Sequence, residues 1–593
     1  KTLLFYNDGE YNKWKLGMGE DGTKGWNIKY FKGLGTSTSA EFKEYFANKK
    51  IVDFVYSGES SDDMIDKIFN KKRADDRKIW LENYDKDAYL DTSDKSVNYE
   101  QFINNEMIHF STYDCARSIP NMVDGLKISL RKILFSAFKR KLTSEIKVAQ
   151  FSGYVSEHSA YHHGEASLNG AIVNMAQNYV GSNNINMLEP NGQFGTRLHG
   201  GDDSASERYI FTQLNTLTRS LFPEADDAVL NYLNDDGTLV EPEYYVPIIP
   251  FALINGISGI GTGFSCNIAS YNPITIIEYL TNKLNNNSVS DISFIPYYEG
   301  FKGSVTSISD SKFLIKGVYE KIGEDKIRIT ELPVGTWTMS YITYLETLLD
   351  GVVNSKTGKK SSPTIRDFTS LCTEVSIDIT VTLYRGTLDE LENTEYDNGN
   401  GIEKLFKLST TVSTTNMHMF NKDCRLHKYN DVREIIAEFY DVRLDVYRKR
   451  KEYLIDNIEK KLIKLSNRAR YITEMLADRI DLRRKKSSEV NDMLTSMEFA
   501  KIDNDYKYLI KMPMDSVTDE NVTSILKEHT DTVKELDVLK RTKLETMWKN
   551  ELQTLLTHYN VYKQKREKIQ LGDGKNIKKN AQLKKQKVLK VKR

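Results

Sequence analysis

Tyr209 follows Arg208 at the end of a glycine-rich stretch, Gln193-Phe-Gly-Thr-Arg-Leu-His-Gly-Gly-Asp-Asp-Ser-Ala-Ser-Glu-Arg-Tyr-Ile-Phe211. A phenol is a poor nucleophile, with a pKa of about 10. It becomes a competent phenolate only beside a cation, a base or a metal. Arg208 keeps its charge and offers a planar fork that matches a phosphate. The dipeptide alone is equally what a structural tyrosine beside an arginine looks like. Histidine is scarce, nine in the chain, yet His158, His162, His163 and His199 fall within one short stretch. His158 and His162 stand four apart, as on one helix face, which admits a metal site. The HExxH pattern is absent, because Ser159 stands where its glutamate would be. His162-His163-Gly164-Glu165 also suits contact with a phosphate, since the glycine lets backbone approach a ligand. Satisfied core histidines are the plain alternative.

The segment Lys127-Ile-Ser-Leu-Arg-Lys-Ile-Leu-Phe-Ser-Ala-Phe-Lys-Arg-Lys141 divides on a helix into two faces. Leu130, Ile133, Leu134, Ala137 and Phe138 form an apolar face, and Lys127, Arg131, Lys132, Lys139 and Arg140 are expected outside it. Such a helix can dock on a phosphate backbone or be a solvated surface. Gly256-Ile-Ser-Gly-Ile-Gly-Thr-Gly263 fits neither GxxxxGK[ST] nor GxGxxG. Ile260, isolated between glycines, is either a wedge that bends a duplex or a residue buried by a tight turn.

The elements that must hold these residues read as a multidomain α+β chain. With 593 residues, 39% hydrophobic, the chain is too long for one domain and too apolar for disorder. Eighty-three basic residues balance 83 acidic ones, which excludes a polycation but not a basic groove. No apolar run approaches the roughly 20 residues of a membrane helix, and no secretory leader opens the chain, so a soluble intracellular protein is expected. Cys115, Cys266, Cys372 and Cys424 are dispersed, as ordinary buried thiols rather than zinc ligands or disulfides. Residues 1–70 suggest the tail of an α/β unit, 71–100 a solvated connector, 101–266 a helix-rich region, and 267–428 a β-rich region. After Tyr429, Leu454, Ile458, Leu462, Leu465, Ala469, Ile472 and Leu476 step by three and four, an apolar seam on one long helix. A second helical stretch with Val522, Ile525, Leu526, Val533, Leu536, Leu552, Leu555 and Leu556 suggests an antiparallel pair joined by a small domain, over 429–570. Residues 571–593 are a tail in which positions 575–593 hold nine Lys and Arg and no acid.

Taken together, these segments resemble the DNA-gate and C-gate half of type IIA DNA topoisomerases of the eukaryotic type. The resemblance rests on Tyr30-Phe-Lys-Gly-Leu-Gly-Thr-Ser-Thr-Ser39, Arg117-Ser-Ile-Pro-Asn-Met-Val-Asp-Gly-Leu-Lys127, Tyr161-His-His-Gly-Glu165, and Gly192–Gly201 leading to Arg208-Tyr209. Gly259–Gly263, Glu331-Leu-Pro-Val-Gly-Thr-Trp337 and Tyr508-Leu-Ile-Lys-Met-Pro513 complete it, over roughly residues 10–560. It implies the end of a TOPRIM domain, a winged-helix domain, an α/β tower, and a long coiled coil with its C-gate. By this resemblance Tyr209 attacks a DNA phosphodiester and becomes joined to the 5′ end. Arg208, His163, Arg117 and Lys127 steady the phosphate charge, and Ile260 intercalates. Lys132, Arg131, His162 and Lys32 are expected to contact DNA. Double-stranded DNA and a second copy of the chain are the implied partners, since each copy offers one nucleophile.

Some positions depart from the family. Lys127-Ile-Ser-Leu-Arg131 replaces Lys-Pro-Gly-Gln-Arg, Glu207 replaces the proline before Arg-Tyr, and Asp202-Asp203 adds negative charge to the loop. The TOPRIM acids that hold Mg²⁺ and the ATP-binding domain are not in these residues, so no metal ligand is expected here and DNA binding without robust cleavage is expected of this chain alone. Lys1 is no initiator methionine, so a fragment or a processed chain is expected. The Lys-, Asn- and Tyr-rich composition looks like the versions of large DNA viruses, which would act at a cytoplasmic replication site; a cellular one would be nuclear. The rival readings are a DNA-bending architectural module without cleavage and a non-enzymatic helical scaffold.

Overall fold

Short amphipathic helices and β-branched strand segments alternate through the first three quarters of the chain, and long charged helices fill the last. The computed structural model describes residues 3–6, 8–18, 25–29, 31, 37–49, 51–85, 88–91, 95–235, 237–351, 362–397, 399–483, 485–513 and 517–570. Lys32, most of its glycine-rich loop and the basic tail lie outside the described residues.

The first hundred residues hold the helices Asp8–Gly17, Ser39–Ala47, Glu59–Phe69 and Ala74–Glu82 and a parallel pair, Asp53–Val55 beside Ser96–Asn98. The stretch expected as a solvated connector is therefore partly folded. Its Trp80 and Leu81 are buried, and the indole donates to Asn104. Because one helix turn carries both, the few apolar residues of 71–100 suffice to seat it.

Next come helices Ile108–Ser118, Ile128–Lys139, Val148–His158 and Glu165–Ala176, and then the hairpin Ile257–Gly261 with Phe264–Ile268. They share one large apolar core with helix Pro273–Leu284, the start of helix Val432–Leu476 and helix Leu544–Gln570. The β-rich region that follows holds a three-stranded and a four-stranded antiparallel sheet besides short hairpins. One orders Ser409–Ser413, Lys312–Lys316 and Ser304–Ser309; the other orders Val318–Gly323, Lys326–Glu331, Ile379–Leu383 and Ile365–Ser370. Ile327, Ile329, Ile379 and Val381 alternate inward and meet Tyr341 and Leu345 of helix Thr338–Asp350 in a second core.

The 45-residue helix Val432–Leu476 leaves the main body, and helix Asp519–Arg541 returns antiparallel to it. Lys540 pairs with Glu459, and Lys461 with Glu528, across the two. Leu465, Ala469 and Ile472 are buried with Ile525, while Leu476 at the far end is exposed. A small third core, with Ile480, Val490, Leu494, Phe499, Tyr506 and Leu509, caps the tip. Among the described residues no helix is long and apolar enough to cross a membrane.

Candidate functional site

The turn bearing Tyr209 is held on both sides by the first amides of helix Val148–His158. Val148 N–H donates to the carbonyl of Ile210 at 3.0 Å, and Ala149 N–H to that of Glu207 at 3.2 Å. The first amides of a helix have no partner within it, so this turn satisfies groups that would otherwise go unbonded. Ile210 is 1% exposed, and its neighbour Tyr209 is 71% exposed. Arg208 is exposed beside it. The phenol of Tyr209 has no hydrogen-bond or ion-pair partner among the described residues.

The preceding loop is braced internally and from outside. Thr196 N–H and Oγ1 both donate to Asp203, at 2.8 and 2.5 Å. Burial pushes the Asp203 carboxyl up, but these bonds outweigh it and hold it below the ordinary aspartate value. One of the two loop acids is thus committed to loop structure. Arg197, 3% exposed, pairs with buried Glu331 and donates to the Leu332 carbonyl. Gly200, at φ +65°, lies so close to Trp337 that a Cβ there would come within 2.4 Å of the indole. The Glu331–Trp337 motif therefore supports the loop from the second core.

A second constellation forms around helix Ile108–Ser118. Tyr113 and Arg117, four apart, lie on one face. His163 Nε2 is 2.9 Å from the Tyr113 hydroxyl, and the Tyr161 ring meets its imidazole edge-to-face at 5.4 Å. Partial burial first, and then the charges of Arg117, His162 and Lys132, hold His163 below its ordinary pKa. Asp114 accepts from Arg117 at 3.3 Å with one oxygen, and from Thr262 N–H and Oγ1 at 3.0 and 3.1 Å with the other. This ties the helix to the turn of the Ile257–Ile268 hairpin.

Gly259 explains how closely the two pack. A Cβ on it would sit 2.0 Å from the Ser118 carbonyl oxygen and 3.6 Å from Lys127 Cε. Lys127 is half-buried there, and burial pulls its ammonium below the usual lysine value. Ile260, one residue on, is 84% exposed. Of the two expectations for this isoleucine, burial in a tight turn is ruled out.

Arg117, His163, Lys127 and Ile260 are thus grouped around helix Ile108–Ser118 and its hairpin, and Arg208 and Tyr209 stand at the start of helix Val148–His158. Among the described residues no hydrogen bond joins the two sets. Four expectations need correction. Arg131 is not on the outer face: it is 6% exposed and bidentate to Asp124, at 2.7 and 3.0 Å, with a further bond to the Leu126 carbonyl. Lys132 is only 13% exposed at its side chain and binds Glu241 at 2.8 Å, so its charge is already answered. His158 and His162 do not share a helix face, because the helix ends at His158. His158 stacks on Tyr154 at 3.9 Å, and His162 faces Asp235 at 3.4 Å. Lys139 and Arg140 do remain exposed. Cys115 and Cys266 are buried, Cys372 is intermediate, and Cys424, expected as a buried thiol, is exposed. Tyr113 and Asp114 belong to no motif in the sequence; their spacing from Arg117 is the signal it offers.

The sequence matches two family profiles, that of the A-type chain of DNA gyrase/topoisomerase IV over residues 117–553 and that of the C-terminal associated domain of TOPRIM over residues 1–115. It is 41% identical to DNA topoisomerase 2 of Arabidopsis thaliana, over 94% of this chain and 40% of that protein. It is 38% identical to human DNA topoisomerase 2-beta, over 98% of this chain and 38% of that protein. The chain therefore spans about two fifths of the length of these relatives. Among solved structures it is similar to the Plasmodium falciparum topoisomerase II DNA-binding, cleavage and re-ligation domain. The TM-score is 0.81 and the identity 38%, covering 96% of this chain and 78% of that one.

Proposed function

The chain belongs to the type IIA DNA topoisomerase family, and from that premise we propose that it is the DNA breakage and reunion core of such an enzyme. The observation that carries the reading is an exposed phenol beside an exposed guanidinium, on a turn bonded to a helix N-terminus at either side.

In the proposed reaction Tyr209 loses its proton and its oxygen attacks a backbone phosphorus. The bond from phosphorus to the 3′ oxygen breaks, that oxygen takes up a proton, and the 5′ phosphate stays esterified to the tyrosine. The ester stores the broken bond, so attack by the 3′ hydroxyl reseals the strand without external energy. Arg208, Arg117, Lys127 and His163 are the donors proposed to steady the charge that grows on the phosphate oxygens. Such fixed donors act most strongly in the transition state. No hydrogen bond joins the two sets among the described residues, and a bound phosphate is their proposed common partner. Ile260 is proposed to wedge between base steps and bend the duplex. Two copies, each cutting one strand, would open a gate for a second duplex, with the helix pair 432–541 framing the exit.

The family implies Mg²⁺ and, for the whole enzyme, ATP. Among the described residues no three of His, Cys, Asp and Glu converge as metal ligands. The Lys-, Asn- and Tyr-rich composition supports a source among large DNA viruses and work at a cytoplasmic replication site. Exposure of Ile260 also favours a second reading, a duplex-bending module without cleavage.

Tyr209→Phe separates the two. The expected result is complete loss of the covalent protein–DNA adduct, with the DNA dissociation constant unchanged within about twofold, because the phenol contributes chemistry rather than the phosphate contacts that dominate affinity. An adduct that survives the substitution would remove the nucleophile assignment.

A further inference from the structure

The imidazole of His163 is held from more sides than a surface histidine needs. Tyr113 meets its Nε2 at 2.9 Å, and Tyr161, 7% exposed, packs against its edge. The charged groups acting on it are Arg117 on the Tyr113 helix, Lys132 on the next helix and the adjacent His162. Two cations, Arg117 and Lys132, together with partial burial disfavour a positive charge on the ring. The ring is then neutral near pH 7, with one nitrogen that accepts and one that donates. Nδ1 makes no hydrogen bond among the described residues. A phenol is the better donor of the pair, and a ring with its proton on Nε2 would turn a bare lone pair toward an incoming phosphate.

We propose that Tyr113 is a positioning residue for the cleavage reaction: its hydroxyl donates to His163 Nε2, which leaves the imidazole proton on Nδ1, the nitrogen available to a phosphate oxygen. The proposal rests on the cleavage reading above. It gives a role to a half-exposed tyrosine, 49% accessible, that makes no contribution to the core.

The test uses Tyr113→Phe, which keeps the ring and its packing and removes only the hydroxyl. In chain carrying ¹⁵N-labelled histidine, with His163→Gln used to assign the signal, Nε2 is expected to be the unprotonated nitrogen. In Tyr113→Phe the proton should spread over both nitrogens. The titration midpoint should rise by about half to one unit, since a hydrogen bond to the neutral form is lost. A native ring protonated on Nε2, or a tautomer and midpoint that the substitution leaves unmoved, overturns the proposal.

The second arm measures the rate of adduct formation on a duplex whose scissile link is a bridging phosphorothiolate. At pH 7 the variant should be slower by about threefold to tenfold, the scale of one lost hydrogen bond. The deficit should shrink as the pH falls through the His163 titration, because imidazolium carries a proton on both nitrogens. A deficit constant across pH marks a merely structural tyrosine and also overturns it. If an enzyme that joins this chain to the Mg²⁺-binding TOPRIM acids forms no adduct with this duplex, the cleavage reading falls and takes the role of Tyr113 with it, while the nitrogen spectrum still decides the hydrogen bond by itself.

Discussion

Two cations eight residues apart on one helix illustrate what a residue's type leaves open. Arg131 and Lys139 both read as outward-facing charges, yet Arg131 closes on Asp124, which also accepts from the amides of Leu126 and Tyr245. Removing one member of a buried ion pair strands the other, at about 3–5 kcal/mol. Arg131→Ala is therefore expected to lower the melting temperature by many degrees. Lys139→Ala should leave the melting temperature in place and reduce the salt slope of DNA binding by about one. Calorimetry and a salt titration of DNA affinity check the pair; equal melting temperatures for the two variants would contradict the assignment. Arg208-Tyr209 stands out from residue type and sequence resemblance, and the chemistry proposed for it rests on these and on the exposure of both side chains. The fate of Arg131 was not legible in the sequence, because Tyr245 lies far off in sequence and only the folded chain brings its amide to Asp124.

At the scale of elements, the glycine-rich loop stands out because its order comes from elsewhere. Arg197 reaches Glu331 and the Leu332 carbonyl, and Gly200 seats against Trp337, more than 130 positions along the chain. Arg197→Ala is expected to raise amide hydrogen exchange across 193–209. It should lower adduct yield by about tenfold or more, since small displacements of a reacting group cost that much, with DNA affinity retained. Unchanged exchange would show that the internal Thr196–Asp203 bonds suffice. The long helices and the β-rich runs could be read from periodicity, which needs only local sequence. The partly folded 71–100 segment could not, since its strand forms only by pairing with Asp53–Val55. Nor could the dependence of the loop on the Glu331–Trp337 motif, which was visible as a pattern but not as a support.

Across the whole molecule, the helix pair and the main body are joined by buried charge. Arg443 and Arg450, 0% and 2% exposed, lie on the long helix, and both reach Asp226, at 2.6 and 3.2 Å. Glu551, on the last helix, pairs with both and accepts from Tyr447 at 2.7 Å. Three separate segments thus share one network. Asp226→Asn should destabilise the main body by about 3–5 kcal/mol, because two guanidinium groups are left with one carboxylate. Hydrogen exchange should then rise together in 432–453 and 544–570, while the tip around Leu494 and Leu509, which has its own core, keeps its protection. Loss of protection in the tip as well would mean that the pair transmits unfolding along its whole length.

The anchoring of the Tyr209 turn has a mechanical side. On the proposed reading this tyrosine is the tether of a severed strand for as long as the gate stands open, and any tug on that strand passes into its neighbours. The strain would run through Ile210 into the apolar interior and through two amides into the axis of a helix, both stiff members. A cut end moored in this way stays in register with its mate, and faithful rejoining follows from the rigidity of the mooring.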